Sequence, residues 1–261
     1  MEQHSGYVLS FRDCLSSQDE GTAVKRKHCL LLTQEEVCVS AQKRFNMTER
    51  EEDYMGAVVL TNPLIGHKLS LLRDKNTGTK EFREIIGEIA TFLCYEALSD
   101  AALEDVEIET PICKTRVKRL NEDRYAFVPI LRAGTGMLDG LLKAVPNAKI
   151  GHVGLYRDEN THEPVRYYYK MPEHIADREV LVLDPMLATG GSACDTIAML
   201  KEDGVKKIKF LCIIAAPEGI KKLEEVHPDV QIFAAAVDEK LNENAYIVPG
   251  LGDAGDRIFG T

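Results

Sequence analysis

Residues 179–192, EVLVLDPMLATGGS, set one carboxylate beside a run of small, glycine and hydroxyl residues. The apolar run 180–183 has the length and composition of a buried parallel strand. Asp184 stands at its carboxyl end, and Ala188-Thr189-Gly190-Gly191-Ser192 reads as a tight turn. A helical segment over 192–202 follows, with Ala193, Ile197 and Leu200 on one side. Strand, acid, small-residue loop and helix together build an anion cradle. The first N–H groups of a helix have no partner within it, and the helix dipole adds partial positive charge there. Thr189 and Ser192 add hydroxyl donors, and the glycines let a phosphate approach the backbone. Asp184 beside such a cradle can accept hydrogen bonds from sugar hydroxyls, so a phosphorylated ribose satisfies both halves. Taken alone, the pattern is equally that of an ordinary α/β turn.

Three other stretches carry chemistry. Leu131-Arg132-Ala133-Gly134-Thr135-Gly136 follows the apolar run 125–131, and a guanidinium fork among small residues suits the oxygens of a diphosphate. The alternative for Arg132 is a surface arginine in a βα loop. Residues 156–171, YRDENTHEPVRYYYKM, are two strand-like arms around a polar tip. They predict a projecting hairpin that could hood a site and exclude water; Tyr167, Tyr168 and Tyr169 fit hairpin packing better than base stacking. Residues 245–256 contain a literal GxGxxG at Gly250, Gly252 and Gly255. A dinucleotide fingerprint must lie in a βαβ unit with an acid ~20 residues onward, and six residues follow Gly255. These glycines instead free the backbone to meet a small flat ligand edge on.

The string DPMLATGGS resembles the phosphoribosyl-diphosphate motif of type I phosphoribosyltransferases, in the form found in the uracil phosphoribosyltransferase family. Many members of the wider fold carry two acids at the strand end; here Pro185 takes the second place, as in the uracil branch. The resemblance covers residues 57–261. It implies that Asp184, Pro185, Met186, Leu187, Ala188, Thr189, Gly190, Gly191 and Ser192 bind phosphoribosyl diphosphate, with Arg132, Arg157 and Asp253. PILRAGTGM matches the family's pyrophosphate loop and puts Arg132 on the leaving group. The 245–256 segment matches the family's base site, placing Ile247, Gly252, Asp253 and Ala254 on uracil. Asp184, Arg132 and Asp253 are the implied catalytic residues.

The implied reaction is uracil + 5-phospho-α-D-ribose 1-diphosphate → UMP + diphosphate, with uracil N1 as the nucleophile. It belongs to pyrimidine salvage. Mg²⁺ is the implied cofactor, held mainly through the substrate's diphosphate and sugar rather than by a protein metal site. Family members form homodimers or homotetramers, and some respond to GTP. A nucleotide-sensing RNA-binding regulator on the same fold and a purine phosphoribosyltransferase are the competing readings. Backbone recognition suits uracil, because cytosine reverses two of its hydrogen-bonding positions. Two buried mismatches at ~1–3 kcal/mol each give discrimination of roughly 10²–10⁴.

The elements that must position these loops alternate. Apolar strands are predicted over 125–131, 149–156, 179–183, 207–215 and 230–237, and helices over 137–145, 192–202 and 218–226. Thr79 is the predicted cap of a helix whose apolar stripe runs Phe82, Ile85, Ile86, Ile89, Ala90, Leu93, Cys94 and Ala97. Two further strands are predicted over 106–112 and 115–120. The pattern predicts an α/β fold, a parallel sheet with helices on both faces (the type I phosphoribosyltransferase fold), ligands lying beyond the strands' carboxyl ends. Residues 1–55 are polar and without period, and predict a partly ordered extension preceding a domain over 56–261.

Bulk properties agree. A net charge of −10 disfavours a general nucleic-acid binder. No apolar run nears the ~20 residues of a membrane span, and the amino terminus lacks the apolar core of a secretory signal. Seven cysteines without CxxC spacing and seven histidines without HExxH point to free thiols in a reducing, cytoplasmic compartment and to no metal motif.

Overall fold

A computed structural model describes residues 56–157 and 164–261. The expected extension over 1–55 and the hairpin tip over 158–163 lie outside the described residues. The chain opens with β1 (Ala57–Val59), α1 (Pro63–Arg73) and α2 (Thr79–Ala97), then β2 (Leu103–Glu109), β3 (Lys114–Leu120) and β4 (Tyr125–Leu131). Next come α3 (Thr135–Ala144), β5 (Lys149–Ile150), β6 (His152–Arg157), β7 (Pro164–Lys170) and β8 (Glu179–Leu183). After β9 (Met186–Leu187) follow α4 (Gly191–Glu202), β10 (Lys207–Ala215), α5 (Pro217–Val226) and β11 (Gln231–Val237). The short β12 (Lys240–Leu241), β13 (Ile247–Val248) and α6 (Ala254–Phe259) close the fold.

The main sheet runs β1-β11-β10-β8-β4-β6-β7, with β5 added beside β4 and β9 beside β10. Its pairs are parallel except β6–β7. The strand alternation divides the core cleanly. Phe127, Leu181, Leu183, Leu211 and Phe233 pack with α1, α2, α3 and α6 on one face. Ala126, Val128, Val180, Val182, Phe210 and Ile232 pack with Ile197 and Leu200 of α4 and Ile220 and Leu223 of α5 on the other. Both faces are covered, which is why β4, β8 and β10 are continuous apolar runs. The predicted parallel sheet with helices on both faces is the one observed.

Three details differ from expectation. The long helix begins at Thr79 with Gly78 in the cap position, and the Phe82 N–H donates to the Gly78 carbonyl at 2.9 Å. The strand expected over 106–112 begins earlier, at Leu103, and with β3 forms a separate antiparallel sheet in the register Val106↔Val117. A parallel pair would need a crossover of a dozen residues or more, and only a short turn joins these two. Cross-strand ion pairs Glu107–Arg116 (3.0 Å) and Asp105–Lys118 (2.9 Å) fix that register. The strand expected over 149–156 is interrupted at Gly151 into β5 and β6, both paired to β4.

The expected hairpin is present as β6–β7, and it extends the sheet at its edge. Tyr167 packs on the hairpin as expected, Tyr169 reaches from it to the residue after α4, and Tyr168 is exposed. The Tyr156 and Tyr167 rings lie 6.2 Å apart, and the Tyr169 hydroxyl donates to Asp203 Oδ2 at 2.6 Å. Among the described residues no helix is long and apolar enough to cross a membrane.

Helices α2 and α3 touch backbone to backbone. The Thr91 hydroxyl reaches the carbonyls of both Gly87 and Gly140 at 3.0 Å, and a Cβ at Gly140 would overlap the Gly87 carbonyl oxygen. Gly140→Ala is expected to force the helices apart and cost about 1–3 kcal/mol, despite alanine's better helix propensity. A urea midpoint equal to wild type would show that the contact tolerates a methyl group.

Candidate active site

Strands β4 and β8 are parallel neighbours in the register Pro129↔Leu183, so the loops leaving their carboxyl ends are adjacent. The loop after β8 is stitched to β10. The Pro185 carbonyl accepts from the Ile213 and Ile214 N–H groups at 3.0 and 3.1 Å, and the Leu187 carbonyl accepts from Ala216 at 2.9 Å. Pro185 and Leu187 are buried and thus serve the sheet. Asp184, Met186, Ala188, Thr189, Gly191 and Ser192 line a cavity of about 330 Å³ with Leu187, Gly190, Ala193 and Ala245.

The cavity ends at the amino terminus of α4. Gly190 caps that helix at φ 77°, left-handed backbone that glycine adopts without strain. A Cβ there would also stand 3.0 Å from the Gly219 carbonyl oxygen. No side chain caps α4, so its leading N–H groups are available to a ligand. His227, buried, anchors the helix from behind through Nε2 at 3.0 Å from the Cys194 carbonyl, with Lys201 Nζ 3.2 Å from Nδ1.

Asp184 lies at the cavity floor, its Oδ1 accepting from the Met186 N–H at 3.2 Å. Burial pushes its carboxyl up to about 7; the Met186 hydrogen bond opposes this and the nearby Asp253 charge adds to it. The side chain keeps a partial opening to the cavity, so a ligand can reach it. Two carboxylates facing one region without a paired cation suit a site whose ligands bring hydroxyl donors or a metal ion.

The loop after β4 closes against β8. A Cβ at Gly134 would overlap the Leu183 carbonyl oxygen, and the Thr135 hydroxyl donates to the Arg132 carbonyl at 2.7 Å. The Leu131–Arg132 and Val248–Pro249 peptides are cis. Arg132 is exposed; its Nη2 is 3.2 Å from Asp256 Oδ1, and its guanidinium stands 5.7 Å from the centre of the Phe259 ring. Arg157 ends β6 opposite Pro164, and its side chain lies outside the described residues.

The third loop arrives beside the first two. A Cβ at Gly255 would lie 3.8 Å from Arg132 Nη2 and 3.9 Å from the Ala133 Cβ. Ile247 is buried in β13, Gly252 and Asp253 are exposed, and Ala254 is buried at the start of α6. Asp253 caps α6, its Oδ1 accepting from the Asp256 N–H at 2.9 Å. The GxGxxG therefore does open a helix, but one of six residues that returns to no parallel strand. The structure thus brings the residue sets around Asp184, Arg132 and Gly252 to one end of the sheet.

Several residues at this end carried no signal in the sequence. Asp256 holds Arg132; Ala245, at φ 61°, walls the cavity. Arg73 and Asp238, 165 positions apart, pair next to Gly250. Arg257 Nη1 donates to the Leu72 carbonyl and, at 2.9 Å, to Leu251, while its guanidinium stands 4.2 Å from the Phe82 ring centre. No sequence signal marked Arg257, because its partners Leu72, Asp74 and Thr77 are distant in sequence.

A group with a raised folded-state pKa loses stability as pH rises from its unfolded value through its folded one. For Asp184 that window runs from 3.8 to about 7. Asparagine keeps the acceptor for Met186 and never ionises. Asp184→Asn is expected to raise Tm above wild type by roughly 3–6 °C at pH 8, the gap shrinking below pH 7 and closing near pH 4. A gap independent of pH, read by calorimetry, would place the carboxyl in an ordinary environment.

The uracil phosphoribosyltransferase family profile matches residues 59–261. Proteins named uracil phosphoribosyltransferase from Clostridium tetani and Clostridium botulinum are 60% and 59% identical to this chain over 202 residues, 77% of this chain and 97% of theirs. The solved structure of the AQ2163 protein from Aquifex aeolicus is similar at a TM-score of 0.74 and 45% identity, covering 78% of this chain and 98% of that one.

Proposed function

The chain belongs to the uracil phosphoribosyltransferase family, and on that premise we propose how its three loops divide the work of moving a phosphoribosyl group from 5-phospho-α-D-ribose 1-diphosphate to uracil. The activity is that of a pentosyltransferase of pyrimidine salvage, giving UMP and diphosphate. One observation carries the division of labour: the loops holding Arg132 and Asp184 leave the carboxyl ends of the neighbouring strands β4 and β8, and the segment holding Gly252, which follows β13, comes up beside Arg132 at Gly255.

The 188–192 turn at the start of α4 takes the 5′-phosphate on backbone N–H groups and the hydroxyls of Thr189 and Ser192. Asp184 accepts from the ribose hydroxyls. Arg132 exchanges Asp256 for the departing diphosphate and meets its growing charge with a bidentate fork; Arg157 serves the same group. Uracil lies against Ile247, Gly252, Asp253 and Ala254, where peptide groups match its alternating acceptors and donor. As the C1′–O bond to diphosphate breaks, N1 bonds to C1′ from the opposite face, the anomeric centre inverts, the diphosphate departs with the bonding electrons and the N1 proton passes to water. Holding both partners in line supplies much of the rate.

The donor set fits Mg²⁺. Asp253 and Asp184 are carboxylates close enough for one to raise the other's pKa, while no cluster of three or more His, Cys, Asp or Glu among the described residues could hold a metal unaided. Mg²⁺ bound with the diphosphate would offset part of its charge, and Asp253 is the carboxylate assigned to hold it. The exposed Leu103 and Ile112 of the β2–β3 hairpin support a homodimer or homotetramer, and the free thiols Cys94, Cys113, Cys194 and Cys212 support a reducing, cytoplasmic compartment. Response to GTP completes the reading and is tested by titration.

Labelled uracil is expected to become UMP only when phosphoribosyl diphosphate and Mg²⁺ are present, one diphosphate released per UMP; no conversion would sink the assignment. Asp184→Asn is expected to lower kcat/KM by roughly 10²–10³, as loss of a charged acceptor predicts. A change under about threefold would remove Asp184 from sugar binding.

A further inference from the structure

Base recognition assigned to peptide groups raises a question of control, because a peptide group cannot itself be substituted. Whatever fixes the 250–254 backbone must act through side chains elsewhere. Arg73, the last residue of α1, and Asp238, directly after β11, meet at that backbone. Their contact is a two-pronged ion pair, Nη1 to Oδ2 at 2.8 Å and Nη2 to Oδ1 at 2.5 Å. The Asp238 side chain is 3% exposed and that of Arg73 25%.

The pair grips one residue from both sides. Arg73 Nη1 donates to the Gly250 carbonyl at 2.8 Å, and the Gly250 N–H donates to Asp238 Oδ2 at 2.8 Å. Gly250 has φ 66°, and a Cβ there would overlap the Ile247 carbonyl oxygen, so its place is tightly bounded. Asp238 is itself fixed by its N–H to the Ala215 carbonyl at 2.8 Å, and the Glu239 N–H reaches Val248 at 3.0 Å. The next residue, Leu251, has its carbonyl held by Arg257. Gly252, exposed and two residues beyond the clamp, is the first backbone left free for a ligand.

We propose that the Arg73–Asp238 pair is a positioning device for the base site, setting uracil affinity and discrimination while leaving the sugar–phosphate side alone. The inference rests on the assignment of residues 247–254 to uracil. Its physics is direct. A buried charge pair has a narrow optimum because breaking either partner strands the other. A narrow optimum transmits a fixed geometry to the peptide groups it grips. The cavity of 184–193 is anchored chiefly on β10 and His227, with Ala245 its one lining residue from beyond Asp238, so a change at the pair reaches the base side first.

Asp238→Asn keeps volume and an acceptor for Gly250 but weakens the pair. Steady-state kinetics on the full chain should show KM for uracil raised about tenfold, the cytosine-to-uracil ratio of kcat/KM raised about tenfold, and KM for phosphoribosyl diphosphate within about twofold of wild type. Arg73→Lys, which keeps the charge but cannot serve Asp238 and Gly250 together, should move the same way and carries the test if Asp238→Asn does not fold. A purely structural role would lower Tm and kcat while leaving both KM values in place. That result, or equal shifts in both KM values, would overturn the inference. Wild-type turnover of uracil in the same assay reports on the function itself, so failure of that reading is seen separately from failure of this one.

Discussion

A chain of net charge −10 that handles a polyanion must supply positive potential locally, and on the proposed division of labour backbone dipoles supply much of it. The cavity at 184–193 has neither lysine nor arginine in its lining. Its donors are the leading N–H groups of α4 and two hydroxyls, set by a left-handed glycine. Lys222 stands behind this turn, its Cβ 3.3 Å from where a Gly190 Cβ would be, and adds charge without filling the space. Fixed dipoles cost no reorganisation when charge arrives, whereas flexible cations lose rotamer freedom on binding.

That cradle works only if its neighbours are placed with equal rigidity, and the parallel register between β4 and β8 does this. Strand ends in one register leave no slack between the Arg132 and Asp184 loops. The overlap that forbids a side chain at Gly134 is the same closeness seen from the loop. The third loop is not on a strand of the main sheet. It depends instead on Arg73, Asp238 and Arg257, three charged side chains whose partners are mostly backbone atoms. One side of the site is thus held by sheet register and the other by ion pairs and hydrogen bonds.

This difference explains what could be read in the sequence. Strand–loop–helix units are local, so the strand, turn and helix over 179–202, the loop after β4, the alternating strands and the α2 stripe were legible from spacing and periodicity. The left-handed glycines of the C-terminal segment, Gly250 and Gly252, were legible as sites of backbone freedom, but Asp253 as the cap of α6 was not foreseen. The β2–β3 sheet was legible as strands and not as a separate ribbon, because pairing partners depend on connection length more than on composition. The Arg73–Asp238 pair was invisible. An arginine at a helix end and an aspartate after a strand are each commonplace, and only the fold brings them together.

The capping contact also bears on what Asp253 can do. One of its oxygens is committed to the Asp256 N–H at 2.9 Å, an interaction that orients the side chain. On the proposed reading, a carboxylate so held presents its second oxygen in a set direction, as a metal ion or a hydroxyl requires. Asp184 is the complement: burial raises its pKa, so a ligand that brings hydroxyl donors or a cation strengthens its ionised form. The two acids differ because one sits at a helix amino terminus in solvent and the other on a cavity floor. Asp256 completes the arrangement by donating its N–H to Asp253 and receiving Arg132 on its carboxylate, so the short helix α6 couples the base side of the site to the residue placed on the leaving group.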